Sequence, residues 1–342
     1  MKASQDWRVI RTSFAGRPLN LVCWRGQSGV ALVDTGMADT PAAAIIPALR
    51  AWDLTPADLA LVVITHAHAD HFAGSEVILQ ASEGRAVFAA HRLDQSWIEN
   101  PSDATRAAYG HYVDLGLMTP VDLDVAAAAS GTGVRLHHVL EGDESFDLGE
   151  GLALEIHFTP GHSAGHICVL ERRDGVLVQG EAAAGVAQFD TQGRLLTAPY
   201  YEDLEIYLTS LARIAGIDFT TFVPSHLPVM DRAAAAQFLQ DSLDFALRFE
   251  VEVCARLAGS RRPVAALELW RSLDRLWGQY PADLGLYMLL ETHLNGLLRR
   301  GLVEGTLAGG LTWTDRHDTV IETAAGKARA KIAAMGRSGK TR

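Results

Sequence analysis

Cysteine is scarce in this 342-residue chain. Cys23, Cys168 and Cys254 are far apart and odd in number, which argues against a disulfide framework and leaves no CxxC pair for redox or zinc chemistry. No apolar run reaches the length of a membrane-spanning helix, so none is expected. The opening MKASQDWRVI lacks the apolar stretch of a signal peptide, and a cytoplasmic location is expected from it. Positive charge is also short. Against 41 Asp and Glu stand only 30 Lys and Arg, and the net charge of −11 repels polyanions and disfavours a nucleic-acid partner. Apart from short alanine runs there is no low-complexity segment, and no period of about 20 to 50 residues marks a repeat array. What is there is a chain 48% hydrophobic and 21% charged, enough for a substantial core and for more than one domain.

Histidine, by contrast, is concentrated. Thr65 to Gly74 reads THAHADHFAG, which places His66, His68, Asp70 and His71 directly after the apolar run LALVVI. Four such side chains at the end of a strand need a shared partner, because each buried alone would lose its hydration uncompensated. A His-x-His pair at a strand end can aim two imidazoles at one cation, while Asp70 and His71 can reach a second position beside it. Other strand-like runs also end in metal-competent residues: His162 in TPGHSAGH, Glu181 in VQGE and His226 in TFVPSH. His137, His138 and His157 read as ordinary strand residues, and His166 as the start of a strand.

Short runs rich in Val, Ile and Leu alternate with helix-like stretches through the first two-thirds, an α/β pattern with two strand-rich halves. Helices are expected over 41–52, 75–82, 103–118 and 201–214. The run ERRDGVLVQG reads as a hairpin turning at Asp174-Gly175. From Asp231 the character changes to helix: one long amphipathic helix to Ala258, two more, and a two-stranded wing around Gly309-Gly310. Three domains are therefore expected: a metal-binding domain over 1–240, a helical winged-helix-like domain over 241–315, and a basic, flexible tail over 316–342. The stretch DLGLYMLLETHLNGLLRR is mostly apolar with acids among its few charges, so this region is expected to cover a pocket or dimerise, not to read DNA.

In order, VDTG (Val33–Gly36), THAHADH (Thr65–His71), TPGH (Thr159–His162), GE (Gly180–Glu181) and PSH (Pro224–His226) resemble the motif set of the metallo-β-lactamase superfamily. The resemblance covers about Trp7 to Gln240. It implies an αββα sandwich with two divalent metal ions at one edge of its sheets, Zn²⁺ or alternatively Fe or Mn²⁺. It also implies that His66, His68 and His162 surround the first metal, that Asp70, His71 and His226 surround the second, and that Asp34 supports the ligand loop. Two positions depart from the family pattern. Glu181 stands where an Asp usually bridges both metals, and Ser225 where Gly is usual; Glu181 is expected to keep the bridging role.

Metals in such a site lower the pKa of bound water from about 15.7 to near 7 and polarise a carbonyl or phosphoryl oxygen. Asp70 is the candidate catalytic residue, orienting the nucleophile or receiving a proton. In layout, the segment after Glu181 and the C-terminal region resemble a quinolone-signal-response thioesterase that acts on an aroylacetyl-CoA. They are less similar to a mitochondrial endoribonuclease with a winged-helix-like C-terminus. The expected function is a metal-dependent hydrolase of a small ester or thioester, acyl-CoA-like, with a homodimer as the expected assembly. Phe189, Tyr200, Tyr201 and Trp270 or Trp277 are candidates for an apolar pocket, although aromatics in such places are more often plain core. The alternatives are lactonase or RNase-like phosphodiester chemistry, or a catalytically weak metal-binding docking protein.

Overall fold

The structure, a computed structural model, describes residues 6–273, 280, 284–314 and 319–338; Trp277 lies outside the described residues. The chain divides into two units. The first comprises Met1–Phe158, Ser163–Glu181 and Asp218–Met230; the second comprises Thr159–His162, Ala182–Ile217 and Asp231–Arg342. In chain order the strands are β1 (Trp7–Phe14), β2 (Arg17–Gly26), β3 (Gly29–Val33), β4 (Leu59–Val63), β5 (Val87–His91), β6 (His138–Leu140), β7 (Ser145–Asp147), β8 (Ala153–Phe158), β9 (Ile167–Glu171), β10 (Val176–Gly180), β11 (Gln188–Phe189), β12 (Leu195–Thr197), β13 (Thr221–Pro224), β14 (Met230–Asp231), β15 (Val303–Thr306) and β16 (Gly310–Trp313).

The first unit is built on two six-stranded sheets, one ordered β1-β2-β3-β4-β5-β6 and the other β14-β13-β10-β9-β8-β7. Side-chain alternation explains why the first sheet reads as continuous apolar runs and not as alternating ones. In β2 and β3, Leu19, Leu21, Cys23, Val30 and Leu32 face one core with Ile45, Leu49, Phe72 and Ile78 of the adjoining helical segments. Val22, Trp24, Ala31 and Val33 face the other core, against Leu154, Ile156, Val169, Val178 and Val223 of the second sheet. Both faces of β2 and β3 are therefore buried along most of their length.

Strands β3, β4, β5 and β6 are parallel neighbours, so their C-terminal ends emerge together and carry Asp34, the Thr65–His71 loop and Asp94 to one edge. In the second sheet β10 and β13 are parallel, with Gly180 beside Pro224, and they deliver Glu181 and His226 in the same way. The expected hairpin joins β9 to β10 with Glu171 opposite Val176. Gly175 takes φ +67°, and the Glu171 carboxylate accepts the amides of Arg173 and Asp174.

The second unit is mainly helical. The expected long helix is observed over Arg232–Ala258, started by the Asp231 carboxylate accepting the Ala234 amide at 2.8 Å. Helices Ala266–Leu273 and Leu284–Arg299 follow, then the β15–β16 hairpin, with Val264 bridged antiparallel to Leu311. The tail expected to be flexible differs: Thr319–Ser338 is a helix. Ile321, Ala325, Ala328, Ile332 and Met335 recur at three- and four-residue spacing and are buried, packed with helices Leu204–Ala215 and Arg232–Ala258. Lys327, Arg329 and Lys331 are exposed on the other side. A net basic charge and a buried apolar stripe share one helix, and the charge alone hid the stripe. Among the described residues no helix is long and apolar enough to cross a membrane.

Candidate metal centre

The first unit gathers six of the seven side chains picked out by sequence. His66, His68 and Glu181 each place a ligand atom within 4.8 Å of the others, and so do Asp70, His71 and His226. One atom connects the two sets: Glu181 Oε2 lies 3.3 Å from His66 Nε2, 3.4 Å from His71 Nε2 and 3.5 Å from His226 Nε2. Asp70 Oδ2 lies 3.3 Å from His226 Nε2.

The rings are oriented from behind. His71 Nδ1–H donates to Asp34 Oδ2 at 2.8 Å, and His226 Nδ1–H donates to the Pro18 carbonyl at 2.7 Å. Thr65 Oγ1 donates to Asp34 Oδ2 at 2.9 Å and meets His66 Nδ1 at 3.0 Å, while the Thr65 amide donates to Asp34 Oδ1 at 2.7 Å. Asp34, which takes the left-handed φ of +63°, thus holds the backbone ahead of His66 and the ring of His71 at once. Each Nδ1 contact turns Nε2 toward Glu181, the arrangement by which a ligating imidazole is fixed in tautomer and direction.

The donor set fits a divalent cation. The Nε2 atoms of His71 and His226 are buried and face carboxylate oxygens at 3.3–3.5 Å without well-directed hydrogen-bond geometry, as suits nitrogens and oxygens converging on a shared metal. Burial opposes charge on His71, yet the carboxylates of Asp34 and Asp70 push it up to about 10. Burial likewise opposes charge on His226, and Glu181 with Asp70 pushes it up to about 9. For Asp70 burial again works against the ion, but His71, His226 and Arg17 hold its carboxyl well below the usual carboxylate range. The negative field of Asp34, Asp70 and Glu181 that raises these imidazoles is a field that would also attract a cation, which would displace the ring proton on binding.

His162 belongs to the second unit, at the end of the segment Thr159–His162. Its Nδ1–H donates to the Tyr200 carbonyl at 2.9 Å, which assigns Nε2 as the ligand-competent nitrogen. Tyr201 does not line a pocket as expected; it is 1% exposed and its hydroxyl meets His293 Nε2.

Four supporting residues were not picked out by sequence. Arg17 NH2 lies 3.3 Å from Asp70 Oδ2. Asn20 fixes the loop of His226 by donating to the carbonyls of Pro224 and Leu227, both at 2.8 Å. Asp94 accepts from the Ala67 amide, the Ser163 hydroxyl and the Gly165 amide at 3.0, 2.8 and 2.7 Å, tying the His-x-His loop to the chain after His162. His166 Nε2 accepts the Glu181 amide at 3.0 Å. A Cβ on Gly180 would meet that same nitrogen at 2.6 Å, so the glycine before Glu181 is needed for the contact.

The family model described as the metallo-beta-lactamase superfamily matches residues 20–226, more than half of the chain. The sequence is 26% identical over 202 residues to the Beta-lactamase-like protein 2 homolog of Caenorhabditis elegans, covering 59% of this chain and 53% of that protein. It is 28% identical over 141 residues to the Atrochrysone carboxyl ACP thioesterase of Aspergillus fumigatus, covering 39% of this chain and 41% of that protein. The chain thus spans about half the length of the curated relatives it matches. Among solved structures, a metallo-beta-lactamase family protein of Thermus thermophilus is similar with TM-score 0.68 at 20% identity, covering 90% of this chain and 99% of that one. A Beta-lactamase domain protein of Burkholderia ambifaria gives TM-score 0.66 at 17% identity, covering 92% and 93%. At these identities the structural likeness is one of fold.

Proposed function

This chain belongs to the metallo-β-lactamase superfamily, and on that premise we propose that it is a metal-dependent hydrolase of a small ester or thioester, acyl-CoA-like, that takes two divalent ions, Zn²⁺ first among them. The observation that carries the reading is the position of Glu181 Oε2, within 3.3–3.5 Å of three imidazole nitrogens drawn from both donor sets. His66, His68 and His162 would hold one ion, Asp70, His71 and His226 the other, and Glu181 both. When bound, such ions bring the pKa of water from about 15.7 to near 7 and polarise the substrate carbonyl.

The chain's own groups supply the rest. Asp70, kept ionised by its cationic neighbours, is a ligand and a hydrogen-bond acceptor able to orient an attacking water. Arg17, at its side, offsets its charge from the β2 end. An ester or thioester is favoured over a phosphodiester for two reasons. One similar protein is a carboxyl ACP thioesterase, and a net charge of −11 works against a polyanionic substrate.

The test is metal content together with turnover. We expect about two Zn²⁺ per chain by elemental analysis. Turnover of a chromogenic thioester should stop on chelation and return on addition of metal. A chain that stays inert when loaded with two metals, or that cleaves bis(p-nitrophenyl) phosphate much faster than any thioester, would sink the proposal.

Asp34 offers a second measurement. Asp34→Asn keeps the size of the side chain but exchanges one acceptor oxygen for a donor, so it cannot accept the Thr65 amide on one atom and the Thr65 hydroxyl and His71 Nδ1–H on the other at once. Loss of a group that orients a ligand weakens metal binding by about 10- to 100-fold. Metal titration should show that loss; two sites of unchanged affinity in Asp34→Asn would refute the role.

A further inference from the structure

Three consecutive residues of the loop that carries His162 are gripped within the second unit. The Ser210 hydroxyl donates to the Pro160 carbonyl at 2.6 Å, the Glu202 amide to the Gly161 carbonyl at 2.6 Å, and His162 Nδ1–H to the Tyr200 carbonyl at 2.9 Å. Gly161 allows the approach: at φ +126°, a Cβ there would stand 2.7 Å from Tyr207 Cα. The imidazole therefore points where residues 200–210 let it point, and the question becomes what fixes those residues.

Tyr201 is the anchor. Its ring is buried and stacked on Tyr207 with centroids 4.3 Å apart, and its carbonyl accepts the Thr292 hydroxyl at 2.8 Å. Its own hydroxyl meets His293 Nε2 at 2.8 Å, His293 Nδ1 meets one Glu250 oxygen, and Arg300 meets the other. Burial holds the Tyr201 phenol well above its usual range, so it keeps its proton and donates it to Nε2. His293 Nδ1–H then faces and donates to the Glu250 carboxylate. Burial opposes the Glu250 ion, but His293 and Arg300 keep its carboxyl below the usual range.

Ordinary packing does not require this chain of polar groups. Apolar side chains of similar volume often fill a core at equal or better stability, whereas a complete buried network fixes one geometry. The geometry fixed here is that of the peptide between Tyr200 and Tyr201, whose carbonyl is the acceptor for His162.

We propose that Tyr201, His293 and Glu250 are positioning residues for the candidate metal ligand His162, setting from the C-terminal helices the direction in which its Nε2 faces. The inference rests on the metal reading above and adds to it residues that touch neither metal nor substrate.

Co²⁺ is the probe, titrated against a chromophoric chelator and read also by its visible absorption bands, with melting temperature recorded in parallel. Tyr201→Phe removes one oxygen and keeps the ring stack; Glu250→Gln keeps the shape and removes the charge. Each should weaken one of the two Co²⁺ sites about tenfold, the lower end for a lost ligand-orienting group, and shift that site's bands while the other site is unaltered. Ile332→Ala, which empties a buried position in the helix Thr319–Ser338, should lower the melting temperature and leave both sites as in wild type. Wild-type affinities and bands in Tyr201→Phe would overturn the proposal. So would an Ile332→Ala variant that perturbs the same site equally, since the effect would then be general loosening. Should the wild type bind no Co²⁺, or His162→Ala bind two ions as tightly as wild type, the metal reading itself falls and this inference falls with it.

Discussion

Replacement of His66 by Ala should reduce hydrolysis on the order of 10³-fold or more and lower bound metal, with His68→Ala behaving alike. His66 is 1% exposed, and its ring is steered by Thr65 Oγ1 toward Glu181. No neighbour can take its place. Neighbouring imidazoles include His71 and His68, with ring centroids at 3.9 and 4.8 Å, and both are assigned to a donor set in the proposed reading. On the proposed reading, losing the ion that His66 would help to hold would return water toward its bulk pKa of about 15.7 and remove nearly all hydroxide at neutral pH. The magnitude is therefore set by chemistry, not by stability, and the fold should survive. Elemental analysis, turnover and melting temperature on the same preparations separate the two. Full metal occupancy with wild-type turnover in both variants would rule out their assignment as ligands.

The donors that could be read from sequence are those that end an apolar run. His66, His68, Asp70 and His71 crowd one loop after β4, and Glu181 and His226 follow the short strands VLVQG and TFVP. Parallel pairing then does what no linear pattern can show, placing those strand ends together. Arg17, Asp94 and His166 escaped for the opposite reason. Each is a single residue of common type whose role is created by a partner far along the chain, such as Asp94 with Gly165 or Arg17 with Asp70.

The unit boundaries were hidden in the same way, because the four residues Thr159–His162 cluster with helices that begin much later in the chain. No sequence expectation covers the helix Pro120–Ala129. The local signal was present: Thr119 and Asp122 form a capping box around Pro120. Tyr201 shows the limit of residue type as a guide. An aromatic beside the motif loop looked like a pocket wall, and it is instead the buried end of a hydrogen-bonded chain.

Glu181→Gln should lose one of two metals and most activity, by at least about 100-fold, the upper end of what the loss of a mere ligand-orienting group costs. Gln has nearly the same shape, so only charge and one oxygen change. Those are what matter if the oxygen found 3.3–3.5 Å from three ring nitrogens holds two cations at once. Glu181→Asp is the sharper comparison because the backbone here is not free to follow a shorter side chain. The Glu181 amide is bonded to His166 Nε2, and Gly180 at φ +58° leaves no room beneath that ring. Removing one methylene withdraws the carboxylate by about 1.5 Å, while metal–oxygen bonds tolerate only a few tenths of an ångström. Restoring the residue usual in the family should therefore weaken the second metal in this chain, with turnover between wild type and Glu181→Gln. Adding His166→Ala should release the backbone and recover part of the Glu181→Asp loss, although that variant alone is expected to be harmful. Two metals and full turnover in Glu181→Gln would show that Glu181 is no ligand, leaving Asp70 as the only carboxylate of the centre.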